Sequence, residues 1–186
     1  RGGSKRLKNK NYKNLFGKPL IYHTIKQAIN SKIFDKIVFS TDSLRLKKMA
    51  LKFGAQAWFI RPAKLSNDKA AKMPVIRHAI IEAEKKFKCK FDFICDLDVT
   101  SPLRKTSDIK NAFKKFKNSN QDMLISGNKA RKNPFFNMIQ KVGKNSIKLV
   151  ITPKKFFVRT QDAPLVYELN ASIYFWKREA CLLERA

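Results

Sequence analysis

Hydrophobic positions in much of the chain follow a helical spacing. Apolar residues recur one helical turn apart after Pro19, which suits the first turn of a helix. Thr41, Asp42 and Ser43 are typical N-cap residues, and Gly54 suits the end of the helix that follows them. The spacing predicts a helix between Ser43 and Gly54, helices over residues 19–31, 74–87 and 106–116, and a further helix that begins near Arg178.

Short runs rich in β-branched and aromatic residues separate these helices and predict strands. The run from Phe91 to Leu97 is nearly continuously apolar, which is typical of a central, buried strand. The other runs cover residues 36–40, 56–60, 123–126 and 172–176. Strands that alternate with helices at this spacing predict an α/β fold with a mostly parallel, Rossmann-like sheet and helices on both faces.

The alternation stops after Gly127. Residues 133–158 contain two strand-like pieces, 136–139 and 147–151, with Gly143 and Pro153 as breaks and no helical period. This pattern predicts a small β-rich insertion over residues 131–160.

The net charge of +27 has two interpretations. Clusters of Lys and Arg are typical of proteins that bind nucleic acids or anionic surfaces. Here the lysines are scattered through every segment beside frequent Asn, Ile and Phe, as in proteins from low-GC genomes, and no segment is a purely basic tail. We favour a globular protein with no nucleic-acid partner and keep a non-catalytic, nucleic-acid-binding module as the alternative.

The cysteines and the chain ends bear on location and organisation. Cys89, Cys95 and Cys181 form no CxxC pair, which favours a reducing compartment. No apolar run is long enough to span a bilayer, and no signal-peptide pattern is present. We expect a cytoplasmic protein with no membrane partner. The length favours a single domain over residues 1–186. Because the first residue is not Met, we expect this domain to be truncated at both ends.

Candidate chemistry begins in the first residues of the chain. Gly2 and Gly3 allow backbone amides to converge on an anion, and Arg1 and Lys10 add positive charge. Such a loop suits a triphosphate, although a basic surface turn has the same composition. The GK[ST] ending of a Walker A loop is missing, which argues against a P-loop NTPase.

Other polar clusters follow the predicted strands, at residues 40–43, 61–72 and 96–104. Ligands of open parallel sheets bind where the strands end, so these clusters are expected along one rim. Asp96 and Asp98 are two residues apart in a strand and therefore share a face. They either hold a cation together or form a solvated strand end.

Several of these segments, taken together and in order, resemble the acylneuraminate cytidylyltransferases, or CMP-sialic acid synthetases. The resemblance extends over essentially the whole chain. The segments 67–72, 96–98 and 161–164 look most like bacterial members that activate legionaminic-type nonulosonic acids. The matching segments are residues 1–6, 10–11, 17–20, 40–42, 61–63, 100–104 and 170–174.

The resemblance implies a nucleotide-binding α/β enzyme that joins CMP from CTP to a nine-carbon 2-keto sugar acid and releases pyrophosphate with Mg²⁺. Related enzymes that activate pseudaminic acid or a 3-deoxy-octulosonic acid are the alternative. Carried over by motif, the catalytic residues are Arg1 and Lys10; the nucleotide-binding residues are Arg1, Gly2, Gly3, Ser4, Asn11, Arg61, Asp68, Ala70 and Lys72; and the substrate-binding residues are Asp98, Thr100, Ser101, Arg159, Gln161 and Asn170.

Two departures from the family pattern lie near the sugar. Sialic-acid enzymes commonly have Gln-Pro where this chain has Asp98 and Val99, and a second arginine where it has Thr160. We therefore expect a substrate other than N-acetylneuraminic acid. Asp98 is also a candidate ligand for Mg²⁺, with the main metal ligands of the family expected beyond residue 186.

The resemblance also implies a homodimer in which the β-rich insertion contacts the partner subunit. Its phenylalanines would be partly exposed in a monomer, and apolar patches of that kind mark interfaces. They are Phe135, Phe136, Phe156 and Phe157.

Overall fold

The computed structural model describes Gly3 and residues 7–183. Within these residues the chain divides into two compact units. The first comprises the chain up to Ser126 together with the segment from Ala171 onward. The second is Gly127–Asn170.

The helices agree closely with the pattern of apolar residues. The Ser43 hydroxyl accepts a hydrogen bond from the backbone N–H of Leu46 (3.3 Å), and Gly54 ends the same helix with a φ of 101°, a conformation that glycine adopts without strain. The predicted helices are confirmed to within two residues. They are α1 (Leu20–Ser31), α2 (Leu44–Phe53), α3 (Lys72–Phe87), α4 (Thr106–Lys117) and α5 (Arg178–Leu182).

Three sheets are present among the described residues. A two-residue antiparallel pair precedes α1, and a hairpin lies in the second unit. The third sheet has the strand order β3-β7-β4. The strands are β1 (Asn14–Leu15), β2 (Lys18–Pro19), β3 (Phe93–Leu97), β4 (Met123–Lys129), β5 (Ile139–Val142), β6 (Ser146–Leu149) and β7 (Tyr167–Lys177).

The β3-β7-β4 sheet does not confirm the prediction of a mostly parallel sheet. Strand β3 is antiparallel to β7, with Phe93 opposite Lys177 and Leu97 opposite Ile173. Backbone N–H groups of Lys177 and Ile173 donate to Asp122 O (3.0 Å) and Ser126 Oγ (2.8 Å), so β4 and β7 also run in opposite directions. No α-helix separates β4 from β7 in the chain. Without a crossover helix, strands that are neighbours in a sheet pair antiparallel.

The predicted strands 36–40 and 56–60 meet over one residue pair. Val38 and Gln56 form an isolated parallel bridge, in which the N–H of Phe39 donates to Gln56 O and that of Gln56 donates to Ile37 O, both at 2.8 Å. Farther along, the N–H of Arg61 donates to Thr41 O (2.9 Å). These two segments are therefore adjacent and parallel, as the sequence predicts, but too briefly paired to form a longer ladder.

Helices cover both faces of the pair β3 and β7, as predicted. Side chains alternate along a strand, so the opposed residues Ile94 and Trp176 face one side and Cys95 and Phe175 the other. Ile94 and Trp176 pack with residues of α3 and α5, whereas Phe175 packs with residues of α4. The first unit thus has two hydrophobic layers separated by the sheet.

The second unit contains one two-stranded sheet among the described residues. Strands β5 and β6 form an antiparallel hairpin around Gly143, whose φ of 71° suits a tight turn. The first strand begins later than predicted because Asn133 organises a turn before it. The backbone O of Asn133 accepts from Phe136, Asn137 and Met138 at 2.9–3.1 Å.

Among the described residues, no helix is both long enough and apolar enough to cross a membrane.

Candidate functional site

A cleft of about 860 Å³ in the first unit gathers most of the polar positions that the sequence singled out. Part of its lining is apolar and comes from buried residues of α1 and α3, such as Ile25 and Ile80. Its polar part is formed by the loops that follow the strand segments. The predicted site residues in its lining are Gly3, Lys10, Asn11, Arg61, Asp68, Ala70, Lys72, Asp98 and Thr100.

A short 3₁₀ helix, Lys10–Tyr12, presents Lys10 and Asn11 to the cleft. Tyr12 anchors it, because its hydroxyl lies 2.7 Å from Ser43 Oγ and the guanidinium of Arg45 lies 4.8 Å from its ring centroid. The 3₁₀ helix is thereby tied to the start of α2. Predicted residues Arg1, Gly2 and Ser4 lie outside the described residues.

Arg61 joins the ends of the two parallel segments at the cleft. Its Nη2 donates to Ser40 O (2.6 Å) and its Nε donates to Ser40 Oγ (3.1 Å). The side chain is half-buried. These bonds hold the guanidinium in one orientation at the wall of the cleft, which is what a fixed hydrogen-bond donor for a ligand requires.

Lys72 lies at the start of α3 and makes an ion pair that the sequence analysis missed. Its Nζ is 2.5 Å from Asp96 Oδ2 and 3.8 Å from the ring centroid of Tyr174. The sequence left two interpretations of Asp96, a cation ligand or a solvated strand end. The structure adds a third, in which this carboxylate forms an ion pair with a lysine at the cleft. No local sequence pattern could have identified this pair, because it depends on how α3 lies against β3.

Asp98 forms a tight turn with Thr100. Its Oδ1 accepts hydrogen bonds from the backbone N–H (2.8 Å) and the hydroxyl (2.7 Å) of Thr100, an Asx turn. Ser101, also predicted to bind substrate, donates its N–H to Asp98 O (3.5 Å) but is not part of the cleft lining. The turn fixes the direction of Asp98 at the end of β3.

Arg104, at the end of the same loop, has a larger role than the sequence analysis gave it. Its side chain is 8% exposed and donates to Ser172 O (2.5 Å), Ser172 Oγ (3.2 Å) and Gln27 Oε1 (3.0 Å). Burial lowers the pKa of Arg104, and nearby acidic groups, Asp98 among them, oppose that shift. The motif that ends in Arg104 was recognised, but its partners are distant in the chain.

The remaining predicted substrate residues belong to the second unit. Arg159 donates through Nε (3.0 Å) and Nη2 (2.9 Å) to the carboxylate of Asp162, which raises the pKa of the arginine. Gln161 lies in the 3₁₀ helix Thr160–Asp162 between them. Asn170 is exposed, and its Nδ2 lies 3.4 Å from Asn128 Oδ1. The structure therefore places Arg159 and Gln161 on one short segment.

In the part of the chain that the structure describes, no three His, Cys, Asp or Glu side chains are gathered to hold a metal ion. Asp96 is engaged by Lys72, whereas Asp98, in the same lining, is a carboxylate that could contribute one ligand. Mg²⁺ is usually held by one or two carboxylates together with substrate phosphates and water. The described cleft residues could therefore supply a carboxylate ligand to Mg²⁺, but they do not form a complete metal site.

Comparisons with known proteins extend over nearly the whole chain. A family model described as cytidylyltransferase matches residues 1–184. The chain is 44% identical over 182 residues to post-translational flagellin modification protein B of Campylobacter coli, covering 98% of this chain and 76% of that protein. It is 43% identical over 182 residues, with the same coverage, to a CMP-N,N'-diacetyllegionaminic acid synthase of Campylobacter jejuni.

The fold is similar to that of a solved structure, a CMP:2-keto-3-deoxy-manno-octonic acid synthetase complexed with CTP. The TM-score is 0.67, and the match covers 97% of this chain and 72% of that one. At 17% sequence identity, this similarity bears on the α/β fold alone.

Proposed function

Because the chain belongs to the cytidylyltransferase family, we propose that it transfers CMP from CTP to a legionaminic-type nonulosonic acid and releases pyrophosphate. The observation that carries the proposal is a cleft whose lining includes Gly3, Lys10, Arg61 and Asp98. The relative that is named a CMP-diacetyllegionaminic acid synthase supports this choice of sugar. Membership of a transferase family favours an enzyme over a non-catalytic, nucleic-acid-binding module.

In the proposed reaction, the hydroxyl oxygen on the anomeric carbon of the sugar attacks the α-phosphorus of CTP. A new P–O bond forms as the bond to the β-phosphate oxygen breaks, the hydroxyl proton is released, and pyrophosphate leaves. Little covalent chemistry falls to the protein, so catalysis depends on positioning and on positive charge around the phosphates. We assign that charge to Lys10, at the cleft wall, and to Arg1.

We place the nucleotide at the part of the cleft lined by Gly3, Asn11, Arg61 and Ala70. Arg61 is held by Ser40 through two hydrogen bonds, so little conformational entropy remains to be lost when it meets a ligand. Asp68 and Lys72 line the same cleft. We also assign Gly2 and Ser4 to nucleotide binding, because they belong to the glycine-containing motif at residues 1–6.

We place the sugar acid at the Asp98 turn. An ionised carboxylate accepts hydrogen bonds and donates none, so Asp98 selects a sugar that presents donors, such as the N–H groups of acetamido substituents. Thr100 lies in the same turn. Ser101, Arg159, Gln161 and Asn170 are further proposed sugar contacts that rest on the family motifs.

The proposed cofactor is Mg²⁺. Asp98 would supply one carboxylate oxygen, with further ligands from the triphosphate and from acidic residues beyond residue 186. When bound, the ion would reduce the negative charge of the phosphates that the sugar hydroxyl must approach. Because Asp98 is also the proposed sugar contact, its replacement separates the two roles.

We further propose a homodimer formed through the second unit. This unit exposes large apolar side chains on and around its hairpin, and a second copy that buries them is the simplest way to remove them from water. Of the predicted interface phenylalanines, Phe156 is 69% exposed, whereas Phe135, Phe136 and Phe157 are half-buried. A sedimentation coefficient that stays monomeric at micromolar concentration would exclude this dimer. The other exposed apolar residues are Met138, Ile139, Ile147, Val150, Ile151, Val158, Leu165, Tyr167 and Leu169.

We also propose a cytoplasmic location. Cys89, Cys95 and Cys181 are all free thiols. Reducing compartments keep thiols in this state, whereas secreted proteins commonly pair them.

The proposed function is tested by pyrophosphate release from CTP and Mg²⁺ with a panel of sugar acids: N,N'-diacetyllegionaminic, N-acetylneuraminic, pseudaminic and 3-deoxy-octulosonic acid. We expect turnover with the legionaminic acid and none when ATP, GTP or UTP replaces CTP. Lys10→Ala should slow turnover, whereas Lys13→Ala, an exposed lysine outside the cleft lining, should not. Absence of CTP-dependent turnover with every sugar would contradict the proposal.

A further inference from the structure

We propose that Arg104 is a positioning residue that sets sugar-acid affinity by holding the Asp98 turn in its binding conformation. The inference rests on the proposed function, because it assigns the Asp98 turn to the sugar. Arg104 itself is not part of the cleft lining. It acts through the backbone and side chains that it joins.

Arg104 joins three segments that are remote from one another in the chain. Its Nη1 donates to Ser172 O (2.5 Å), in β7, and its Nη2 donates to Gln27 Oε1 (3.0 Å), in α1. Both Nη atoms also lie 3.5 Å from Asp98 O, in the predicted sugar loop. The guanidinium therefore ties the end of β3 to its neighbouring strand and to a helix.

Gln27, in α1, adds hydrogen bonds to these contacts of Arg104, which we call the Arg104 joint. Its Nε2 donates to Pro102 O (2.6 Å) and to Arg104 O (2.7 Å). The end of the loop between Asp98 and Arg104 is thus held by the Gln27 side chain, which also accepts a hydrogen bond from the Arg104 side chain.

The backbone conformation of Ala171 is a second observation that bears on the Arg104 joint. Ala171 has a φ of 51°, in the left-handed region that alanine rarely adopts, immediately before Ser172. A strained residue persists when its surroundings over-determine it. Ser172 O accepts from the N–H of Asp98 (3.2 Å) as well as from Arg104, so the same carbonyl holds both the kink and the turn.

The chemistry of the partners explains why this position needs an arginine. The acceptors of Arg104 are backbone carbonyls, a hydroxyl and an amide oxygen, and no described carboxylate forms an ion pair with it. Its Nε is buried without a partner among the described residues, so the two Nη groups set the orientation. A planar guanidinium can reach acceptors in several directions, whereas a lysine ammonium is a point donor. Geometry, more than charge, is therefore what Arg104 supplies.

The contacts predict which kinetic constant changes. The nucleotide part of the cleft is fixed by other bonds, those between Arg61 and Ser40 and between Tyr12 and Ser43. Loss of the Arg104 contacts should therefore loosen the Asp98 turn and leave the CTP end in place. We expect the KM for the sugar acid to rise and the KM for CTP to remain.

The experiment compares Arg104→Lys, which keeps the charge, with Arg104→Met, which removes it. With N,N'-diacetyllegionaminic acid as the probe, both variants should raise the sugar KM by about 10-fold or more, a loss expected when hydrogen bonds that hold a site are removed. The KM for CTP should change by less than about twofold. Arg178→Lys is the matched control, since Arg178 makes a comparable two-point contact with Glu84 (2.6 and 2.9 Å) outside the cleft lining.

Three results would overturn the proposal. A normal sugar KM in Arg104→Lys would show that charge alone is needed. Equal increases in both KM values would show general damage to the fold. The same KM split in Arg178→Lys would show that any partly buried, two-point arginine contact has this effect. If Arg104→Met does not fold, Gln27→Met removes the α1 side of the joint and should give a smaller increase in the sugar KM.

A second measurement does not need turnover. Hydrogen exchange of the ligand-free protein should show faster exchange over residues 98–104 in Arg104→Lys and unchanged exchange over residues 10–12. Unchanged exchange over residues 98–104 would contradict the positioning role whether or not the enzyme is active. If wild-type protein releases no pyrophosphate with any sugar, the proposed function fails, and the exchange data still decide whether Arg104 holds the turn.

Discussion

Replacement of Asp98 separates the two roles proposed for its carboxylate. Oδ1 accepts two hydrogen bonds from Thr100, at 2.8 and 2.7 Å. Asparagine keeps an oxygen at that position and loses the charge. Glutamine places its amide one methylene farther from the backbone and cannot close the same turn. The pair Asp98→Asn and Asp98→Gln thus distinguishes loss of charge from loss of geometry.

The magnitude follows from those two bonds. A hydrogen bond contributes a net stabilisation of about 0.5–1.5 kcal/mol, so loss of the turn in Asp98→Gln costs about 1–3 kcal/mol. If the turn is needed only to bind the sugar, that cost corresponds to an increase in sugar KM of about 5-fold to 150-fold. Thr100→Val removes the hydroxyl bond alone and should cost about half as much.

The assay is pyrophosphate release with the sugar panel, under saturating CTP and Mg²⁺. We expect Asp98→Gln to retain CTP-dependent turnover and to shift its preference toward N-acetylneuraminic acid, because a glutamine amide both donates and accepts. Complete loss of turnover with every sugar in a folded Asp98→Asn protein would refute the sugar role and favour a metal ligand. An unchanged preference in both variants would remove Asp98 from the specificity site.

Two further predictions follow from side chains away from the Asp98 turn. The hydrogen bond from Arg178 lowers the pKa of Glu84 from its ordinary value of 4.5, so this pair stabilises the protein above pH 4.5 and loses that effect as the pH falls through the lowered value. The free energy of unfolding of Glu84→Gln, measured with urea, should therefore be below that of wild type near neutral pH and approach it in acid; a constant difference would contradict this. Burial raises the pKa of Cys181 to about 11 and that of Cys95 well above its usual range, whereas Cys89 is exposed. Mass spectrometry after brief iodoacetamide treatment at neutral pH should find Cys89 as the modified thiol, and comparable labelling of Cys95 would contradict its burial.

The helices could be predicted from the sequence because their determinants are local. Ser43 caps α2 through a residue three positions away, and Gly54 ends the helix through its own backbone conformation. Some polar cleft residues, such as Arg61 and Asp98, could also be identified, because they follow the strand segments and lie in recognisable motifs. For the helix, each residue and the neighbours that determine its conformation are close in the chain.

The direction of β7 and the ion pair between Lys72 and Asp96 could not be predicted in the same way. Strand alternation gives no information on a strand that returns without a crossover helix, and β7 pairs antiparallel with β3. Lys72 meets Asp96 because α3 lies against the sheet. Both features arise from contacts between distant segments, which a periodic pattern does not encode.

The two parts of the cleft are therefore built in different ways, and this bears on how specificity can change. Arg61 is fixed by Ser40, and the Lys10–Tyr12 helix by Ser43, and both serines follow the strand segment at residues 36–40 or end it. The proposed sugar end depends instead on Arg104, whose partners lie in α1 and β7. Substitution at Asp98 alters which groups meet the sugar without disturbing the Arg104 joint, because Arg104 contacts only the backbone of Asp98. A family that uses one nucleotide and several sugar acids can thus vary the side chain at this position while the contacts of Arg104 with the backbone stay in place.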